Sequence, residues 1–217
     1  MKGLIRNNMY NVQSSLLFCI VFGLIAIGLA LYSSIHYPQN SAILTGIIAG
    51  VFGGFGALSG TTIQKDHMSQ WDKFELTMPI SRNDVIKAKY LTFLIYATFG
   101  LILTSILFVT LILFIDKLDM ERIGFAFTFG FTFALGMPTY LVPLILKFGS
   151  NKNEILLIIS VFIYMIVFAG SSYLFTVLFK EVQNINIIYR SFFILTSIIL
   201  YVVSFYLSKY LYVKKEF

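Results

Sequence analysis

SLLFCIVFGLIAIGLALYSS, residues Ser15–Ser34, is a run of apolar and small residues with no Asp, Glu, Lys, Arg or His. A helix crossing a hydrocarbon core of about 30 Å needs roughly 20 such residues, and this run is long enough. Five further blocks have the same character: Ala42–Ile63, Tyr90–Ile115, Ile123–Leu146, Ile155–Phe179 and Ser191–Leu207. In lipid a backbone must close its own hydrogen bonds, so each block is predicted to be a helix. The fold expected is all-α: a polytopic membrane protein of six transmembrane helices forming one domain over residues 1–217. Pro138 and Pro143 lie in the fourth block and are expected to kink it or break its end. The first run exceeds the usual apolar length of a secretory signal, and no small-x-small site follows, so it is read as a retained span.

Composition agrees. Hydrophobic residues make up 58% of the chain and charged residues 12%, with a mean hydropathy of +0.85. A water-soluble domain carries about twice that share of charge. The net charge of +6 does not point to nucleic acid, because the charges sit between apolar blocks rather than along a polar face. Cys19 is alone inside an apolar run, which leaves no disulfide or metal framework.

Lys and Arg set the orientation. With the N-terminus inside, the inner segments hold Lys2, Arg6, Lys65, Lys73, Arg82, Lys87, Lys89, Lys147, Lys152, Lys209, Lys214 and Lys215. The outer loops hold only Lys117, Arg122, Lys180 and Arg190. This positive-inside bias predicts an N-in, C-in protein. Two flanking segments are also expected to be helical at the interface: Met1–Asn11, and a small helix in Lys180–Arg190 with Val182, Ile185, Ile187 and Ile188 as its apolar residues.

Only one loop is long, Gln64–Lys89, and it is cytoplasmic in this topology. Ser69-Gln-Trp-Asp72 and Ser81-Arg-Asn-Asp84 each place a hydroxyl three residues before a carboxylate, the pattern of a capping box. The first predicts a short helix from about Gln70 that ends before Pro79. The second predicts a helix starting at Arg82 and continuing into the third span. On the short helix Trp71, Phe74 and Met78 share one face. That face either lies against the lipid interface, where Trp is common, or enters a groove on a soluble partner. The residues alone leave both open.

The stretch Gln70–Tyr90, QWDKFELTMPISRNDVIKAKY, closely resembles the corresponding loop of small bacterial type-2 ABC-transporter permeases, with Leu76, Pro79, Ile80, Ser81, Arg82, Val85, Lys89 and Tyr90 at matching positions. Within that family it is similar to the phenol-soluble-modulin exporter type. The resemblance implies a permease of the type-2 ABC exporter fold in the bacterial cytoplasmic membrane, not itself an enzyme. It would carry an amphipathic peptide or other hydrophobic cargo, beside a second permease copy or paralogue. It also implies that Trp71, Phe74, Met78, Pro79, Ser81 and Arg82 couple the spans to a separate cytoplasmic ATPase, which binds ATP and Mg. No Gly-x-x-x-x-Gly-Lys-Ser/Thr occurs in the chain, so ATP must be bound by another chain if it is used.

Within the spans, Gly46, Gly50 and Gly54 recur every four residues, and Gly56 and Gly60 repeat the spacing. Such a stripe serves either close packing of the second span or a face against a second permease copy. Phe125, Phe127, Phe129, Phe131 and Phe133 step by two, so their rings fall on opposed sides of a helix. Thr104, Ser105, Ser171 and Ser172 are expected to bond their own backbone. The span interiors carry no charge, which argues against a proton- or ion-coupled carrier. A membrane scaffold that binds a cytoplasmic partner without transport is the alternative reading.

Overall fold

A computed structural model describes residues 2–36, 41–77, 79–114, 120–149, 152–179 and 185–214. Among them the elements are α1 (Lys2–Asn11), α2 (Gln13–His36), α3 (Ser41–Met68), α4 (Trp71–Thr77), α5 (Arg82–Phe114), α6 (Met120–Phe148), α7 (Asn153–Leu178) and α8 (Ile185–Lys214). Six of these helices, α2, α3 and α5 to α8, are long and apolar enough to cross a membrane. The expected all-helical, six-span architecture is present. The ends of α1 and α3 meet through Asn11 and Asp66, and the start of α5 meets the end of α8 through Arg82 and Val213. Both ends of the described chain therefore lie at the same end of the bundle.

The core is built around α3 and α6. Half of the α3 span and 61% of the α6 span are buried, against 17% for α2 and 22% for each of α7 and α8. The outer faces of the last three carry exposed Leu, Ile, Val and Phe, which suits a lipid surround. Close approach of α3 to α6 depends on small residues: a Cβ at Gly56 would stand 3.1 Å from the Ala134 Cα. Gly53 and Gly60 share that side, under Phe133 and under Leu141 and Leu157. Gly46 and Gly50 do not. Both are exposed, with open space where a Cβ would be, and Gly54 meets only the Cys19 Sγ at 3.6 Å. Internal packing of the second span thus runs along Gly53, Gly56 and Gly60.

The phenylalanines of α6 separate as their spacing requires. Phe129 and Phe133 stack on each other and meet Tyr164 of α7 edge-on, and Phe125 meets Phe168 on the same side. Phe127 lies edge-on to Phe52 of α3 and Phe108 of α5. Thr104, Ser171 and Ser172 donate to carbonyls three or four residues earlier.

Two expectations are corrected. Of the two outcomes expected of its prolines, a kink or a break of the cytoplasmic end, the break does not occur in the fourth span: α6 runs through Pro138 and Pro143 to Phe148. Pro143 cannot donate to the Thr139 carbonyl, but the Ser204 hydroxyl of α8 donates to it at 2.7 Å. An external donor thus satisfies the acceptor that the proline leaves open. The helix ends instead at Gly149, with φ of +88°, whose N–H donates to the Ile145 carbonyl. The second correction concerns the expected small helix at Lys180–Arg190. Ile185–Arg190 forms the first part of α8 itself, and residues 180–184 lie outside the described set. The N-terminal segment is helical, as expected, with Leu4 and Asn8 buried.

Candidate functional site

The helices flanking the long loop overrun the apolar blocks, α3 to Met68 and α5 back to Arg82. Of Gln64–Lys89, only a short helix and its two turns remain outside them. Ser69 does not cap α4: its hydroxyl donates back to the Lys65 and Asp66 carbonyls, at 2.8 and 3.2 Å. The chain instead reverses at Gln70, whose φ is +54°, and the Gln70 carbonyl accepts from the Phe74 N–H. The α3 end thus takes the hydroxyl that the sequence pattern assigned to α4. Ser81 does cap α5. Its Oγ accepts from the Asp84 N–H at 3.1 Å and donates to Asp84 Oδ2 at 2.8 Å.

On α4, Trp71 is half-buried and its ring nitrogen donates to Glu75 Oε1 at 2.8 Å. Phe74 points outward, 52% exposed, with its ring 5.3 Å from that of Trp71. Met78, the third residue of the expected face, lies outside the described residues. Pro79 and Ser81 are exposed, while Ile80 packs against the main apolar cluster. Arg82 reaches a different element: its guanidinium donates to the Val213 carbonyl at 2.8 Å, in the last turn of α8. A cation there suits the negative end of the helix.

Beneath α4 lies a charged centre. Lys89 Nζ sits 2.7 Å from Asp66 Oδ2 and 3.8 Å from Glu75 Oε2. Exposures are 8% for Lys89, 1% for Asp66 and 2% for Glu75. Asn11, at the end of α1, donates to the other Asp66 oxygen at 3.1 Å. One lysine from α5 therefore gathers α3 and α4, and through Asp66 also α1. Desolvating charges is costly, so such a group is a poor source of net stability, yet removing one partner leaves the others buried and unpaired. Its physical role is to fix the relative placement of the helices it joins.

A polar seam continues from it into the bundle. The Tyr90 hydroxyl lies 2.7 Å from the Ser204 Oγ and 2.8 Å from the Ser208 Oγ. Tyr201 donates to the Tyr90 carbonyl at 2.7 Å. Through Ser204 this seam reaches the Thr139 carbonyl in α6. The charged centre thus joins α1, α3, α4 and α5, and the seam beside it joins α5, α6 and α8, by buried polar contacts as well as by apolar packing.

Residues 3–213 match the model of the family described as ABC-2 family transporter protein. The chain belongs to that family. No curated protein and no solved structure matches it. An ABC-2 permease is a transport component of the membrane, not catalytic by itself, and normally works with an ATPase subunit. In this ABC-2 permease, all six spans and the buried junction under α4 lie within the matched region, apart from Lys214 at the end of the last span.

Trp71, Phe74, Met78, Pro79, Ser81 and Arg82 stand out in the sequence through the loop's pattern and resemblance, whereas Asp66, Glu75 and Lys89 do not stand out there as a unit. Lys89 fell within the quoted motif, and Asp66 lay three residues past the second apolar block. The available signal was an acid, Asp66, and a base, Lys89, at the facing ends of two adjacent spans, each among other charged residues. Pairing them required knowing that α3 and α5 pack side by side.

Proposed function

We propose that this chain is the membrane-spanning subunit of an ATP-driven exporter, with α4 and its turns as the docking element for a separate cytoplasmic ATPase that binds ATP and Mg. The bundle end that carries both chain ends then faces the cytoplasm of a bacterial membrane, in agreement with the Lys and Arg bias. The observation that carries the reading is the two-sidedness of α4. Phe74 is presented outward, while Trp71 and Glu75 turn inward onto Lys89. A load on the outer side would be passed to α3 and α5 through that ionic centre.

The cargo proposed is an amphipathic peptide or another hydrophobic molecule, as in exporters of the phenol-soluble-modulin type. The charge-free apolar blocks, which lie beyond the ionic centre in each span, support it. So does a cavity of about 180 Å³ between α6, α7 and α8, lined by aromatic rings and by the hydroxyl-bearing Thr139, Thr196 and Ser197. A second permease copy is proposed to meet the open face at Gly46 and Gly50, whereas Gly54 lies against Cys19 of α2.

Co-purification with the candidate ATPase tests the assignment. Phe74→Asp, which leaves the buried centre intact, is expected to abolish complex formation and cargo-stimulated ATP hydrolysis. If the variant keeps both, α4 is not the docking element. If the wild-type chain binds a cytoplasmic partner but moves no cargo, the scaffold reading replaces this one.

A further inference from the structure

The helix is interrupted by a turn at Val12, where α1 meets α2. Val12, fully buried, forms the corner, and the two helices enclose a groove of about 470 Å³ lined by Lys2, Ile5, Arg6, Met9, Tyr10, Gln13 and Leu16. That volume lies in the ~300–1,000 Å³ range of ligand pockets. Its floor is apolar. Ile5, Met9 and Leu16 pack on their inner sides against the main core cluster and present their remaining surface to the groove.

Its rim is basic. Lys2 and Arg6 stand four residues apart on one helix face, both exposed, and α1 contains no Asp or Glu. Lys65 adds a positive charge beside the start of α2, with Nζ 3.5 Å from the Ser14 Oγ. The carboxylate of Asp66, next to Lys65, is turned inward and held by Lys89 and Asn11. Tyr10, 74% exposed, is the kind of side chain that sits at headgroup level. The apolar floor leads through Leu16 directly onto the first membrane span. A cationic rim above an apolar floor, placed where a span begins, has the charge and polarity order of a lipid molecule.

We propose that the α1–α2 bend is a binding site for one anionic phospholipid, with Lys2 and Arg6 holding the headgroup phosphate and Ile5, Met9 and Leu16 holding the first part of an acyl chain. The site lies on α1 and α2 and does not depend on the ATPase-docking role of α4. A bound lipid there would brace α1, and through Asn11 and Asp66 would steady the junction that carries Lys89.

The test uses the full chain purified in neutral detergent and titrated with phosphatidylglycerol or phosphatidylcholine, with bound lipid counted by native mass spectrometry. The wild-type chain should retain one phosphatidylglycerol in preference to phosphatidylcholine, with the preference falling as salt rises. Lys2→Gln/Arg6→Gln should lower phosphatidylglycerol affinity by about 30-fold, which corresponds to two cations at about 1 kcal/mol each. Lys2→Arg/Arg6→Lys should keep it. Equal binding of the two lipids, or an unchanged affinity in the charge-removed variant, overturns the proposal. Displacement by glycerol phosphate alone would mark a free-anion site and also overturn it. So would a charge-removed variant that keeps its lipid preference but loses its protein partner, since the groove would then hold protein.

Discussion

Lys89 of α5 is buried against Asp66 of α3, with Nζ 2.7 Å from Oδ2, at the level where both helices leave their apolar spans. Glu75 of α4 faces the same ammonium at 3.8 Å, and Trp71 holds the other Glu75 oxygen. The short helix is thus tied to the two spans that flank it by one shared charge. Apolar contacts could hold it in several nearby positions, whereas a buried ammonium between two carboxylates tolerates few.

Removing that charge should be severe. Lys89→Met leaves Asp66 and Glu75 buried with no cation, at an expected cost of about 3–5 kcal/mol. Thermal unfolding of the detergent-solubilised chain checks it. A loss below about 1 kcal/mol would mean that water reaches the carboxylates and that the centre fixes nothing.

The proline in α6 makes a second, sharper prediction. Ser204→Ala removes the donor to the Thr139 carbonyl and should cost about 1–3 kcal/mol. Pro143→Ala restores a backbone N–H to that carbonyl. In the Ser204→Ala/Pro143→Ala double variant the cost of losing Ser204 should therefore shrink, and a double-mutant cycle on unfolding free energies reads the coupling. Strict additivity would show that Ser204 does not stand in for the missing amide.

Glycines within the spans should differ in consequence. A Cβ at Gly136 would stand 2.5 Å from the Tyr164 Cδ2, and one at Gly130 would collide with Phe52. Gly136→Ala is expected to destabilise by about 1–3 kcal/mol through overpacking. Gly50→Ala meets open space and should leave stability unchanged or raise it by up to about 1 kcal/mol. Gly50→Leu separates the remaining possibilities: with monomer stability kept, loss of cross-linking between copies would place a second permease on that face, and retained cross-linking would place it elsewhere.

The sequence by itself determined the solvent, the number of spans and the punctuation of the loop. These depend on local quantities: the length of a charge-free run, the hydroxyl and carboxylate of Ser81 and Asp84, and the proline that stops α4. Periodicity also placed the α6 phenylalanines on opposed faces before any neighbour was known. Only the tertiary structure decided which partners those features met. Ser69 and Ser81 begin the same pattern, but only Ser81 caps a helix, because the end of α3 takes up the Ser69 hydroxyl. Pro143 reads as a breaker until α8 supplies Ser204 to its orphaned carbonyl. Gly46 and Gly56 read alike until α6 is seen to cross at one and not the other. Asp66 and Lys89 stand 23 residues apart and look like two unrelated loop charges. Their burial, and with it the anchoring of α4, follows from α3 and α5 packing side by side, because what a buried charge requires is a partner across space and no local pattern encodes one.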